Sequence, residues 1–444
     1  MDWQSLLNQE RSQRPKYVEQ THRPLYVQDL DRIAFSAPFR RLAHKTQVHP
    51  LYENDHLHHR LIHSIETASV GRSLGIEVGH WLEEQSRIES GKALLVGGIV
   101  QAACLAHDIG NPPFGHSGEA AIGAWFSGKF TENLGIFSEI PKDDREEFEA
   151  FEGNAQGFRI LTRLEMYRNA GGMQLSNAVL GAYTKYPSGA VAKDAKPESY
   201  CGLKKFGYFR SEEVYFEDVA QKCNLLSGIG GPRKWWKRHP LAFLVEAADD
   251  ITYGIIDIED AYCSGLLSYK KTCKILEPIC GVSNNDTSHL TEAEHVSYLR
   301  ARSIGAAISF CVEAFKNHYA EIMSGKFNDS LIASSDKADA FHEIEVLSRG
   351  KIYPSDRKME LEVYGRNLLH NTLNGLIPIF QALHANNWDS SKLSSYEKQV
   401  TQVLNIDLRD ARDASSALHI LCDYVSGMTD RYTVKTSNLL GGTA

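Results

Sequence analysis

Apolar residues recur along most of the chain at steps of three and four, and the sustained alternation that strands need is rare, which predicts an all-α protein. Over residues 56–84, Leu57, Leu61, Ile65 and Ala68 follow steps of four, four and three. Residues 93–109 are apolar nearly all round, as in a helix buried in the middle of a bundle, and Pro112 and Pro113 end that run. A third long helix is predicted over 241–261, entered just after Pro240. Three segments read as loops: the acidic run 142–152, the mixture of Pro, Gly, Ser and Lys over 186–203, and the turn-forming string 281–288. No internal repeat is present. The expected organisation is a core over 1–273 with further helices over 274–444 packed on it.

Composition changes this picture little. The 444 residues are 42% hydrophobic and 23% charged, an ordinary globular balance that excludes a disordered or collagen-like chain. The net charge of -8 argues against a protein that coats nucleic acid through general basicity, so an anionic ligand has to be met by a local cluster of cations. The eight cysteines are scattered without a CxxC pair, which suits a reducing compartment. The start is polar, and the longest uncharged apolar run, 93–106, falls short of the roughly 20 residues a membrane span needs. A soluble, cytoplasmic protein with no membrane partner is expected.

Two features do not fit plain packing. His107-Asp108 closes the apolar helix, where an ionised carboxylate without a partner would cost several kcal/mol. Glu246, Asp249, Tyr253, Asp257 and Asp260 then follow steps of three, four, four and three, forming a polar stripe on a helix that carries no Lys or Arg. Such a stripe repels itself unless a divalent cation, bound hydroxyl groups or both relieve it. Together these give His63, His107, Asp108 and Asp249 as a mixed nitrogen and oxygen ligand set. Two imidazoles and two carboxylates suit Mn, Fe, Co, Ni or Zn, with Mg less favoured by histidine.

The order H…HD…D resembles the HD-domain metal-dependent phosphohydrolases. More narrowly, RLIHSIE, HDIGNPPFGHSGE, EGNAQGFR, GAYTKYP, KFGYFRSE, EAADDITYGIIDIEDA and DYVSGMTDRY are similar to strings of the dGTPase-type deoxynucleoside triphosphate triphosphohydrolases, and they run from Arg60 to Tyr432. The resemblance implies an all-helical HD-domain bundle over 1–273 whose nucleotide pocket the 274–444 part completes. It implies cleavage of a dNTP, dGTP favoured, at its α-phosphorus to give the deoxynucleoside and inorganic triphosphate, with Mn, Mg or Co as cofactor. It also implies a homo-oligomer, for which a hexamer is one arrangement.

Residue by residue, the resemblance offers Arg60, Lys185, Tyr186 and Lys205 to the triphosphate, and makes His116 and Glu119 the catalytic pair. A carboxylate three residues after a histidine can hydrogen-bond the imidazole and raise its pKa, which suits proton transfer to the leaving 5' oxygen or handling of the attacking water. Glu119 also fits the first turn of a helix, where the dipole favours a carboxylate. Gln47, Val48, Tyr253 and Asp257 are implied at the sugar, and Tyr353 and Glu362 at the base. The string GPRKWWKRHP interleaves cations with Trp235 and Trp236, which suits single-stranded nucleic acid as a regulator; packing or a subunit interface is the preferred reading. The competing functions are an HD-type nucleotide phosphatase or phosphodiesterase, and a nucleic-acid-binding protein with a vestigial metal site.

Overall fold

The computed structural model describes residues 1–11, 20–46, 59–166, 170–190, 200–231, 233–281, 283–352 and 356–442. Among them regular structure is helical, and sheet-type pairing is confined to isolated bridges such as Thr46 with His59. The helices that position the site are α1 (Arg60–Glu84), α2 (Ala93–Ala106), α3 (Gly115–Glu132), α4 (Ala242–Cys263), α5 (Asp356–Ala385), α6 (Ala414–Ser426) and α7 (Asp430–Gly441). No helix among the described residues is long and apolar enough to cross a membrane.

Helices α1 and α2 approach each other closely, and small residues permit it. A Cβ at Gly75 would come within 2.8 Å of the Gly97 Cα, and one at Gly79 within 2.7 Å of the Ala93 Cα. Any side chain there would push the two backbones apart. His63 and Thr67 continue the same step of four towards the start of α1, so the seam points its open end at the polar residues.

Two buried apolar clusters flank that end. One gathers α1, α2 and α4 with residues as far along as Phe341 and Ile344; the other gathers α3 with Phe137, Phe148 and Phe151 and with apolar residues of α5 and α6. Each cluster takes side chains from both sides of the expected border at 273.

Local differences from the sequence reading have physical causes. The helix expected over 93–109 stops at Ala106, and the Ile109 amide instead closes a turn on the Ala106 carbonyl, which leaves His107 and Asp108 on the turn. Residues 142–149, expected as loop, are the helix Lys142–Glu149: Asp143 and Asp144 sit in its first turn, where the dipole favours them, and Phe148 is buried. The 186–203 stretch contains one 3-10 turn, Cys201–Leu203, and its residues 191–199 lie outside the described set.

His239 shows how tightly this fold sets a protonation state. It is fully buried; its Nε2 donates to the Leu6 carbonyl at 2.9 Å and its Nδ1 accepts from the Leu241 amide at 3.1 Å. Burial pulls its pKa from 6.5 to about 4. The unfolded chain therefore binds this proton first as the pH falls, so the contribution is intact above 6.5 and is lost towards 4. We predict that unfolding free energy drops by about 3 kcal/mol from this group between pH 6.5 and 4. Denaturant titrations of wild type and His239→Gln check it, the variant showing a flatter acid limb.

Candidate metal centre and active site

His63 from the first turns of α1, His107 from the turn after α2 and Asp249 from the middle of α4 bring their ligand atoms within 4.8 Å of one another. His63 Nε2 lies 3.0 Å from Asp249 Oδ1, and His107 Nε2 lies 3.5 Å from the same oxygen. His107 Nδ1 donates to the Cys104 carbonyl at 2.7 Å, which orients the ring so that Nε2 is the nitrogen that would coordinate a cation once its proton is displaced. That buried Nε2 has no hydrogen-bond partner. Two imidazoles and a carboxylate converging on one space, with His107 Nε2 short of a full hydrogen bond, fit a divalent cation of borderline softness.

Asp108, the fourth expected ligand, borders the same space, with Oδ1 3.5 Å from His107 Nε2. Its oxygens are engaged by neighbours: Oδ2 accepts from Arg60 at 2.7 Å and Oδ1 from the Asn111 side-chain amide. Arg60, expected at the triphosphate, is thus first the counter-charge of Asp108. It is buried and also donates through Nε to the Thr46 carbonyl at 3.1 Å. Burial resists the Asp108 charge, and Arg60 and His107 outweigh it, holding the carboxyl at about 2. Burial likewise opposes a charged His107, yet Asp108 and Asp249 raise it to about 9.

The acidic stripe of α4 is less bare than its own helix suggests. Arg238 Nη1 donates to Glu246 Oε2 at 2.7 Å and Lys185 Nζ lies 3.3 Å from Glu246 Oε1, while Asp249 faces the two imidazoles. The uncompensated repulsion inferred from the sequence is therefore partly answered by cations from other segments. Tyr253 stands edge-on to His63, with ring centroids 6.2 Å apart, and Asp257 is buried.

Across the site, α3 opens after Phe114, whose φ is +63°. Glu119 is buried and does not pair with His116: its Oε1 accepts from the Gly153 amide at 2.8 Å and its Oε2 lies 3.8 Å from Lys205 Nζ. Lys205 also donates to Glu152 Oε1 at 3.0 Å. The expected rise in the His116 pKa is overturned. Partial desolvation of the ring, with the charges of Lys205 and Arg60, holds it below 6.5. Burial raises the Glu119 carboxyl. A Cβ at Gly153 would lie 2.4 Å from Asn111 Oδ1 and 2.7 Å from Glu119 Oε1, so any larger residue would have to displace those two side-chain oxygens.

Tyr186 is buried with Lys185 at 5.9 Å and Arg238 at 5.7 Å over its ring. Gln47, Val48 and Tyr353 lie outside the described residues. Glu362 is on α5 one turn before Gly365, which packs on the Phe114 ring. A cleft of about 720 Å³ opens beside Tyr253, lined by Lys204, Asp250, Gly254, Phe341, Ile344 and Arg349. Sequence reasoning missed that wall, whose signal was the apolar pair Phe341 and Ile344 one turn apart. It also missed Glu152, although EGNAQGFR contains it.

The GPRKWWKRHP string is absorbed by packing. Trp235 and Trp236 are buried, Lys237 Nζ sits 4.1 Å from the Tyr200 ring centroid, and Arg238 is buried against Glu246. This agrees with the preferred packing role.

A profile of the HD domain family matches residues 60–166. A protein of Synechocystis sp. bearing the name deoxyguanosinetriphosphate triphosphohydrolase-like protein is 36% identical over 97% of each chain. One of the same name from Pseudomonas aeruginosa is 36% identical over 100% of this chain and 99% of its own. A Salmonella typhimurium protein named deoxyguanosinetriphosphate triphosphohydrolase is 30% identical over 90% of each.

Because His107 is held protonated to about pH 9 without a metal, a cation has to displace that proton. We predict that Mn affinity rises by roughly tenfold per pH unit up to about 9 and then levels off. Titration by electron paramagnetic resonance at a series of pH values checks this.

Proposed function

We propose that this chain, which belongs to the deoxyguanosinetriphosphate triphosphohydrolase family of HD-domain hydrolases, is a metal-dependent enzyme that hydrolyses dNTPs, dGTP preferentially, to deoxynucleoside and inorganic triphosphate. The observation that carries the reading is the convergence of His63, His107 and Asp249 on one space, with the buried His107 Nε2 lacking a hydrogen-bond partner.

His63, His107 and Asp249, with Asp108 at the edge, would hold the cation. Such a cation would supply charge neutralisation for a phosphoryl group and a lowered pKa for water. The remaining work belongs to side chains. Lys185 and Lys205 meet the triphosphate, which has about four negative charges that the net-negative chain does not otherwise balance. Glu119 and Glu152 hold the Lys205 ammonium in place. His116, neutral near pH 7 because its pKa is lowered, accepts a proton from the attacking water. Tyr253 and Asp257 take the sugar, supported by their position along α4 beyond Asp249, and the cleft next to Tyr253 has room for a nucleoside. A homo-oligomer rests on the resemblance, and regulation by single-stranded nucleic acid on the interleaved cations and tryptophans of GPRKWWKRHP.

The test is product analysis of each dNTP and of GTP with Mn, Mg or Co. Triphosphate and deoxynucleoside are expected, fastest from dGTP; release of phosphate or a nucleoside monophosphate points instead to the phosphatase or phosphodiesterase alternative. We further predict that His116→Asn lowers kcat by about 10²–10⁴-fold while Mn affinity stays at the wild-type value. In wild type the acid limb of the pH–rate profile falls below pH 6.5, since a base of lowered pKa stays deprotonated to lower pH.

A further inference from the structure

The string DYVSGMTDRY, near the end of the chain, is left without a role by the proposed chemistry, yet it lies against the turn that carries Asp108. Asp430 is the first residue of α7 and is buried. An aspartate there ordinarily serves the free amides of its own helix. In this protein Thr429 provides the cap, its hydroxyl accepting from the Tyr432 amide, and the Asp430 oxygens face other segments. Oδ1 accepts from the Phe114 amide at 3.1 Å; Oδ2 accepts from the Thr46 amide at 3.1 Å and from the Thr46 hydroxyl at 2.5 Å. Close by, the Ser426 carbonyl at the end of α6 accepts from Lys45 Nζ at 2.7 Å, and the same ammonium donates to the Asn111 carbonyl at 2.6 Å.

These bonds form three tiers around one carboxylate. Asp108 is held by Arg60 and Asn111. Arg60 is held by the Thr46 carbonyl, and Asn111 by Lys45. Thr46 and Lys45 are held in turn by Asp430 and Ser426. Phe114 adds a second path: it closes the 108–114 turn in the left-handed region, costly for a residue with a side chain, and the Asp430 bond fixes its amide in that conformation.

We propose that Asp430 is a positioning residue for the metal centre, setting the direction of the Asp108 carboxylate through Thr46 and Phe114 although it touches no ligand. This rests on the metal-site reading above. Groups that orient metal ligands change affinity by about 10–100-fold when removed.

The test compares Mn binding to the metal-free full-length protein, read by electron paramagnetic resonance, in wild type, Asp430→Asn, Asp430→Glu and Leu418→Ala. Leu418 is buried on α6, so its truncation destabilises the same region while sparing the Asp430 bonds. The expected result is Mn affinity at least tenfold weaker in Asp430→Asn, severalfold weaker in Asp430→Glu, and at the wild-type value in Leu418→Ala. If Asp430→Asn does not fold, Asp430→Glu decides, since it keeps the charge and moves the oxygens by one methylene. Wild-type affinity in the folded Asp430 variants overturns the inference and leaves the metal-site reading standing. No Mn binding by wild type overturns both.

Discussion

Two imidazoles and a carboxylate can share one cation only if three backbones stay close, and in this protein the closeness is set by a seam that admits almost no side chain. Gly75 against Gly97 and Gly79 against Ala93 let α1 and α2 approach until backbone meets backbone. The seam puts His63, near the start of α1, beside His107, just past the end of α2. α4 then needs to supply only Asp249. The ligand geometry thus follows from the absence of bulk several turns away as much as from the ligands themselves.

Charge is balanced across the same space by partners distant in sequence. Asp249 faces the imidazoles, Asp108 faces Arg60, Glu246 faces Arg238 and Lys185, and Glu119 and Glu152 face Lys205. Low-dielectric surroundings make each pairing strong and each unpaired group costly, which is why nearly every charged side chain around the site has its opposite nearby. His107 Nε2 meets its carboxylates at 3.5 Å without a full hydrogen bond, and it is where the chemistry is proposed to lie.

Much of the fold was legible because helix periodicity is a local signal: the three long helices appear within a few residues of where apolar spacing puts them. Boundaries were less legible, since His107 and Asp108 leave the helix to make a turn that only tertiary contacts favour. The acidic run at 142–149 misled because charge was weighed above its place at a helix start. Of the site, His63, His107 and Asp249 could be picked out from residue type and position. Lys45, Thr46, Glu152 and Asp430 could not, because their importance lies in what they hold and not in what they are. The His116–Glu119 spacing suggested a pair, and Gly153 and Lys205 claimed the carboxylate instead.

The cysteines carry a practical consequence. Cys104 lies buried in the α1–α2 seam, with its Sγ 2.4 Å from where a Cβ at Gly71 would stand, and burial holds its thiol well above the ordinary range. Cys263, by contrast, is exposed at the far end of α4, the helix that also bears Asp249. The Cys263 thiol is also shifted upward, by burial first, so access and not thiolate character separates the two, and a maleimide dye should reach Cys263 and spare Cys104. Such a dye would sit on the ligand-bearing helix, 14 residues along the chain from Asp249, giving an optical reporter on the helix that carries the metal-ligand candidate.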